Sequence, residues 1–466
     1  MKKNPKLFLF IFLLSFFSLG CKSDKAPFPD PAEQPKTDGY KDPAQYDSPF
    51  ANVPNTQDII MYEVNLRAFS NEGTLKGVEQ KLDAIRDLGV NVIWLMPIHP
   101  MGVEKGIGSP YAVKNYREVG AEYGNLDDLR NLVKEAHKRN MAVLMDLVAN
   151  HTAWDNPWIA NKSWYTQDGS GNIISPAGMG WNDVADLNYN NADLRKEMIR
   201  TMKYWVLTAN IDGYRCDYAN GVPQTFWKAA IDTLRKIPNR NILMFAEGDR
   251  KDHFSAGFNL TFGFGFFDAL KNVYGSNASA STLQAAHFSE YSGIPAGAQI
   301  LRFTSNHDNN LYDDTPLGLF GGAKGSMTAF VLASFMGGVP LLYNGQEIGY
   351  ATKIPFFTRS PINWSNADAA MTAEYKKLIA FRKSSNAVKQ GTLQAFTNHP
   401  GVSAFKRISG NEQVFVLVNT TAGALNYTLE PSVANTNWIN AMNNASLSLG
   451  TQIALEPRSY LILKNQ

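Results

Sequence analysis

From about residue 58 to residue 384, short apolar runs alternate with stretches whose apolar positions recur every three or four residues. The first pattern predicts strands and the second predicts amphipathic helices. Strands are expected at Ile59–Val64, Val92–Met96, Ala142–Val148, Ile211–Asp217, Ile242–Glu247, Ile300–Thr304 and Val339–Tyr343. Helices are expected at Val78–Leu88, after Asn125, and at Asp193–Leu207, Gln224–Lys236, Ala329–Phe335 and Thr372–Lys383. In the second of these, Leu126, Leu129, Val133 and Ala136 share one face, and Asn125 stands before them as a cap. Strand–helix alternation on this scale predicts a parallel sheet, closed or open, with helices on its faces.

Three stretches break the rhythm. His151 to about Asn190 carries Trp154, Trp158, Trp164 and Trp181 among Gly, Asn and Asp, and reads as an excursion from the sheet. After Ala387, short runs at Val402–Phe405, Val414–Val418, Leu425–Leu429 and Tyr460–Leu463 predict a small antiparallel domain. Residues 22–55 show little periodicity and are rich in Pro, Asp, Lys and Gln, so they read as a solvated tether. Ahead of them Lys2, Lys3 and Lys6 precede Leu7–Leu19, a run apolar except for Ser15 and Ser18. That is short for a membrane span and has the form of an export signal.

Composition narrows the function. Hydrophobic residues at 44% and charged residues at 18% fit a globular chain and argue against general disorder. The net charge is +2, and without the three lysines of the leader it is close to neutral, which argues against a nucleic-acid partner. Cys21 and Cys216 are the only cysteines, so no intrachain disulfide framework is expected. The 9 Trp and 19 Tyr suit stacking on sugar rings, although core packing draws on the same residues.

Chemistry gathers at the ends of the predicted strands. In Gly213-Tyr-Arg215-Cys-Asp217-Tyr218 a cation and a carboxylate two residues apart share a strand face. Ionic groups in an apolar strand are costly unless paired. Two readings follow: a structural ion pair, or a carboxylate kept ionised by Arg215 to act as a nucleophile. Asp146, Asn150 and His151 close another strand, Glu247 another, and Asn306, His307 and Asp308 another. Each alone has a structural explanation as a cap, a buried pair or a core histidine. A (β/α) barrel would bring all these ends to one face. Converging carboxylates, with neither a nucleophilic Ser motif nor a His/Cys metal cluster, suit glycoside hydrolysis. There one carboxylate is ionised and another is held protonated. Desolvation after Phe245 and Ala246 would raise Glu247 as an acid requires.

In order along the chain stand Asp146-Leu-Val-Ala-Asn150-His151, Gly213-Tyr-Arg215-Cys-Asp217, Phe245-Ala-Glu247 and Phe303-Thr-Ser-Asn306-His307-Asp308. Val184-Ala-Asp186-Leu-Asn188, Gly89-Val-Asn-Val-Ile-Trp94-Leu-Met-Pro97 and Gly345-Gln-Glu347-Ile-Gly349 accompany them. With this set the chain resembles the α-amylase superfamily of retaining α-glycosidases, glycoside hydrolase family 13, over residues 58–466. The resemblance implies an α/β fold, a (β/α)8 TIM barrel over 58–384. It adds a short domain B at 151–190 after strand 3 and a C-terminal antiparallel β-sandwich domain at 385–466. It makes Asp217 the nucleophile, Glu247 the general acid/base and Asp308 a third carboxylate gripping sugar hydroxyls. Arg215 would orient Asp217 and keep it ionised, His151 and His307 would donate hydrogen bonds to the sugar, and Tyr111 would stack on it.

The substrate so implied is a starch-like α-1,4-glucan or maltooligosaccharide, handled by a monomer without an organic cofactor. Glucanotransferase, α-glucosidase and cyclomaltodextrinase activities share the same catalytic residues. A non-catalytic glucan-binding lipoprotein would be expected to lack at least one of the three carboxylates, and all are present. The chain departs from the family where Ser109-Pro110 replaces His-Gly before Tyr111, where Asn115 replaces a common Asp, and at Asn220 and Gly221, where Lys-His is common. Asn150 and Asp186 match oxygen-ligand positions of a structural Ca²⁺, but the histidine whose carbonyl joins them is replaced by Gly221, so calcium stays open. Ser18-Leu19-Gly20-Cys21 resembles a lipoprotein lipobox. It implies a signal peptide at 1–20, a lipidated Cys21 anchoring the chain to a membrane, and a tether at 21–57. Lys22 after the cysteine points to the outer membrane.

Overall fold

The computed structural model describes residues 39–465. The leader, Cys21 and most of the tether lie outside the described residues. Ten strands come first in the chain. They are β1 (Met61–Val64), β2 (Val92–Leu95), β3 (Ala142–Val148), β4 (His151–Ala153), β5 (Val184–Asp186), β6 (Gly213–Asp217), β7 (Leu243–Ala246), β8 (Leu260–Phe262), β9 (Gln299–Arg302) and β10 (Val339–Tyr343). All but β4 and β5 form a closed parallel barrel in the order β1-β10-β9-β8-β7-β6-β3-β2. Its strands are buried almost throughout, as helices on the outside and packed side chains within require. Gly213 opens β6 at φ +154°, and a Cβ there would lie 1.8 Å from the carbonyl oxygen of Leu243. Glycine is what lets β6 and β7 meet.

Seven of the eight barrel strands coincide with predicted runs. The eighth, β8, was not expected: at three residues, closed by Gly263, it is too short to show a period. The helix expected at Val78–Leu88 is divided into Leu75–Glu79 and Leu82–Asp87, with Lys81 leaving helical geometry between them. The helix Leu126–Lys138 begins as expected. Asn125 accepts from the N–H groups of Asp127 and Asp128, and the Asp128 side chain returns a bond to the Asn125 N–H. The excursion after β3 contains the β4–β5 ribbon, in which His151 faces Asp186.

The tether expectation fails for its last part. Residues 42–57 lie against the barrel: the Tyr46 N–H donates to the Leu207 carbonyl at 2.7 Å, Arg130 sits 4.3 Å over the Tyr46 ring, and Phe50 stacks on His137 at 4.4 Å. Polar contacts add to these: Asn210 donates to the Ser48 carbonyl and Asn52 to Asn140 Oδ1.

After the helix Ala369–Ser384 come β11 (Thr392–Phe396), β12 (Val402–Ser409), β13 (Glu412–Asn419), β14 (Leu425–Thr428), β15 (Asn437–Asn440), β16 (Ser446–Ser448), β17 (Gln452–Leu455) and β18 (Tyr460–Lys464). Six form an antiparallel sheet in the order β11-β12-β13-β18-β15-β16, and β14 pairs with β17. The ribbon and the sheet share a core containing Phe415, Leu417, Tyr427, Trp438 and Leu455. The sandwich is thus uneven, six strands against two. Its other face, with Phe405, Val416 and Ile462, joins the core of the barrel. Among the described residues no helix is long and apolar enough to cross a membrane.

Candidate active site

The barrel register assembles the site. Pairing of β3 with β6 sets Asp146 opposite Arg215 and Val148 opposite Asp217, and β7 delivers Glu247 one residue past its end. Arg215 is fully buried and serves three carboxylates at once. Its Nη1 lies 2.8 and 2.9 Å from the two oxygens of Asp146 and 2.9 Å from Asp217 Oδ1, and its Nη2 lies 2.8 Å from Glu247 Oε1. Trp94 covers the guanidinium at 4.9 Å and donates its indole N–H to Asp146 at 3.1 Å. Asp217 and Glu247 therefore stand no further apart than one guanidinium can bridge.

Tyr218, directly after Asp217, is held at φ 37° and ψ 49°, a left-handed conformation rare for a bulky residue. That turn aims its N–H at Glu247 Oε2, 2.7 Å away. The Glu247 backbone is tied to β6 as well, donating to the Cys216 carbonyl and accepting from the Ala219 N–H. Glu247 is thus held by backbone groups at the end of β6 and in the turn that follows it.

Electrostatics differs from the expectation in one respect. Arg215 was expected to keep Asp217 ionised, but its charge is divided among three carboxylates. Burial pushes Asp217 up to about 7 against the pull of Arg215, with Asp146 and Asp308 adding to the rise. Burial likewise raises Asp146 to about 6, and it raises Glu247, as was expected of an acid. The cluster has one guanidinium for three carboxylates, so it holds protons near neutral pH.

The two histidines are shifted in opposite directions. Burial drives His151 down to about 4, so it is neutral. Burial also pulls on His307, but Asp308 and Glu63 outweigh it and lift the ring to about 9. Tyr111 connects the parts: its hydroxyl is 2.8 Å from His307 Nε2 and 3.3 Å from Asp146 Oδ2, and its ring is nearly parallel to that of His307.

Above these groups opens a cavity of about 630 Å³ whose wall includes Tyr111, His151, Asp217, Glu247, His307 and Asp308. Arg215 lies beneath it. All seven residues expected to catalyse or bind substrate are thus gathered at one end of the barrel. Trp181, Tyr218, Phe264 and Phe356 add aromatic surface. Sequence reasoning missed Glu63, on β1, which contacts His307 at 2.5 Å. The signal was there: a carboxylate within the apolar run Met61-Tyr62-Glu63-Val64, the same pattern that drew attention to Arg215.

Asn150 and Asp186 lie at the β4–β5 ribbon, and a Cβ on Gly221 would come within 2.3 Å of Asn150 Oδ1. Calcium takes roughly six to eight oxygens, backbone carbonyls and waters among them, of which this amide and this carboxylate would supply two. Among the described residues no cluster of three or more His, Cys, Asp or Glu suits a metal ion.

Comparison with known proteins agrees with the geometry. Residues 38–170 and 178–373 match the alpha amylase catalytic domain family. Alpha-amylase 3 of Dictyoglomus thermophilum is 26% identical over 437 residues, covering 79% of this chain and 86% of that protein. Trehalose-6-phosphate hydrolase of Bacillus subtilis is 24% identical, covering 81% and 92%. The crystal structure of a maltogenic alpha-amylase from Thermotoga neapolitana superposes with a TM-score of 0.79 at 27% identity, covering 88% of this chain and 99% of that one. With the catalytic-domain family matched over most of its length and the barrel of that family in place, the chain belongs to the alpha-amylase family and is a glycoside hydrolase.

Proposed function

We propose that the protein hydrolyses α-1,4-glucosidic bonds of starch-like glucans or maltooligosaccharides with retention of configuration. The observation that carries this reading is the single guanidinium shared by Asp217 and Glu247. It draws two carboxyl groups of one cavity wall onto a single cation, and a covalent intermediate calls for such a pair at a short spacing, roughly 5–5.5 Å in retaining enzymes. In the working form Asp217 is ionised and Glu247 carries the proton.

In the first step Asp217 attacks the anomeric carbon while Glu247 protonates the departing glycosidic oxygen. The bond to the leaving sugar breaks and a β-glycosyl ester with Asp217 forms. In the second step Glu247, now a carboxylate, takes a proton from water, which attacks the anomeric carbon from the other side and frees Asp217. The product keeps the α configuration. His151 and His307 hydrogen-bond the reacting sugar, Asp308 grips its hydroxyls, and Tyr111 packs on its ring. No step runs through a metal ion.

The relatives are named for several activities on glucosides, so specificity is tested directly. Chromatography of products over time from soluble starch, maltoheptaose and pullulan should show maltooligosaccharides shortening without longer products. Accumulation of chains longer than the added maltoheptaose would replace hydrolysis by transfer to a sugar acceptor. We also propose that Cys21 is lipidated and anchors the enzyme to the outer membrane. Labelling with a radioactive fatty acid should mark the wild-type chain and not Cys21→Ser.

A further inference from the structure

Glu63 is fully buried in β1 and sits outside the set of residues that touch the cavity. Its Oε1 lies 2.5 Å from His307 Nδ1 and accepts the His307 backbone N–H at 3.3 Å. Its Oε2 is buried without a hydrogen-bond partner. A buried carboxylate with an idle oxygen is a costly way to hold a ring in place, since an amide accepts an Nδ1 proton equally well. What a carboxylate adds is charge.

We propose that Glu63 is a positioning residue that keeps His307 doubly protonated, so that Nε2–H is a permanent donor to the Tyr111 hydroxyl on the cavity wall. The inference rests on the glycosidase reading above. The consequence follows from hydrogen-bond direction. Opposite a neutral residue 63, His307 would keep one proton on Nδ1, and Nε2 would be an acceptor. The Tyr111 hydroxyl, 2.8 Å away, would then spend its proton on Nε2. Opposite Glu63 the ring is a cation, Nε2–H donates to the Tyr111 hydroxyl, and the Tyr111 proton is free for Asp146 Oδ2 at 3.3 Å. The chain Glu63–His307–Tyr111–Asp146 thus acquires one direction. The same cation holds Asp308, whose Oδ2 is 3.5 Å from Nε2.

The groups facing His307 support the charge. Glu63 approaches from β1 and Asp308 is its chain neighbour, and both favour the cation, as do Asp146 on β3 and Asp217 on β6; Arg215 on β6 opposes it. Tyr111 contacts Nε2, and Tyr343 at the end of β10 lies near Glu63. Trp94 and Phe356 meet the ring edge-on and are uncharged. Burial raises Glu63 as well. Between the two titrations the pair is ionic.

The test is Glu63→Gln, nearly isosteric, read in two ways. Nitrogen-15 NMR of the ring, assigned by the signal lost in His307→Gln among the 7 histidines, should show a doubly protonated His307 at pH 8 in wild type. In Glu63→Gln it should show a neutral ring whose midpoint falls below 7. Turnover of maltoheptaose at pH 7.5 should fall about 10- to 100-fold, the loss of one charge-assisted hydrogen bond, and should recover as pH is lowered. A neutral His307 in wild type at pH 7, or a cationic one at pH 8 in Glu63→Gln, overturns the proposal. So does an activity loss equal at all pH values. If Glu63→Gln does not fold, the wild-type titration decides alone. If wild type cleaves no α-glucan, the glycosidase reading fails while the NMR still reports on Glu63.

Discussion

Replacing Asp217 by Asn should make the protein more stable at the pH where it works while abolishing turnover. Burial and neighbouring carboxylates raise Asp217 from 3.8 to about 7 in the fold, against the pull of Arg215. A raised acid binds its proton more tightly folded than unfolded. Between pH 4 and 7 the unfolded chain therefore carries fewer protons at this group, and stability falls as pH rises through that window. At about 1.36 kcal/mol per pH unit the ceiling is about 4 kcal/mol. Asp146 and Glu247 share the same guanidinium, so the group titrates jointly and part of the cost lies with them. We expect a gain of about 1–3 kcal/mol at pH 8 and almost none at pH 4. Asn keeps an oxygen for Arg215 but holds no charge. The assay is thermal or urea unfolding of both proteins at pH 4, 5, 6, 7 and 8, with the gap between them widening up to pH 7 and then level. A variant that loses stability as pH rises would show that Arg215 stabilises the ionised carboxylate outright, and the electrostatic reasoning would fail. Comparable starch cleavage by this variant would remove Asp217 from the mechanism.

Two further predictions concern the acid and the barrel. Glu247→Gln should slow release of a sugar leaving group by about 10²–10⁴-fold, yet cleave an aryl maltoside with an acidic phenol leaving group far better; equal losses on both substrates would deny the proton donor. Gly213→Ala forces a Cβ to 1.8 Å from the Leu243 carbonyl oxygen and should cost more than about 3 kcal/mol or prevent folding, whereas an unchanged melting temperature would contradict the β6–β7 contact described here.

What the sequence conveyed depended on signal length. β3 and β10 are legible residue for residue because each is a run of buried, mostly apolar residues, broken in β3 only by Asp146. β8 contributes three residues and no period. β15 and β16 in the C-terminal sheet are short and half exposed, so they carry neither a full apolar run nor a clean alternation. The docking of residues 42–57 depends on Tyr46 and Phe50 meeting Arg130 and His137, contacts no local pattern encodes. The site divides in the same way. Asp217, Glu247 and Asp308 announce themselves as charges at the ends of apolar runs. How one guanidinium is divided among Asp146, Asp217 and Glu247 is a matter of distance, and only the closed barrel brings Glu63 on the first strand to His307 after the seventh.

The central claim is that Asp217 and Glu247 act as nucleophile and acid across a covalent intermediate. Proton NMR of the anomeric region during the first minutes of maltoheptaose cleavage tests it most directly, before mutarotation mixes the products. The account predicts that the α-anomer of the new reducing end appears first and the β-anomer later. Initial appearance of the β-anomer would mean direct attack by water and would contradict it.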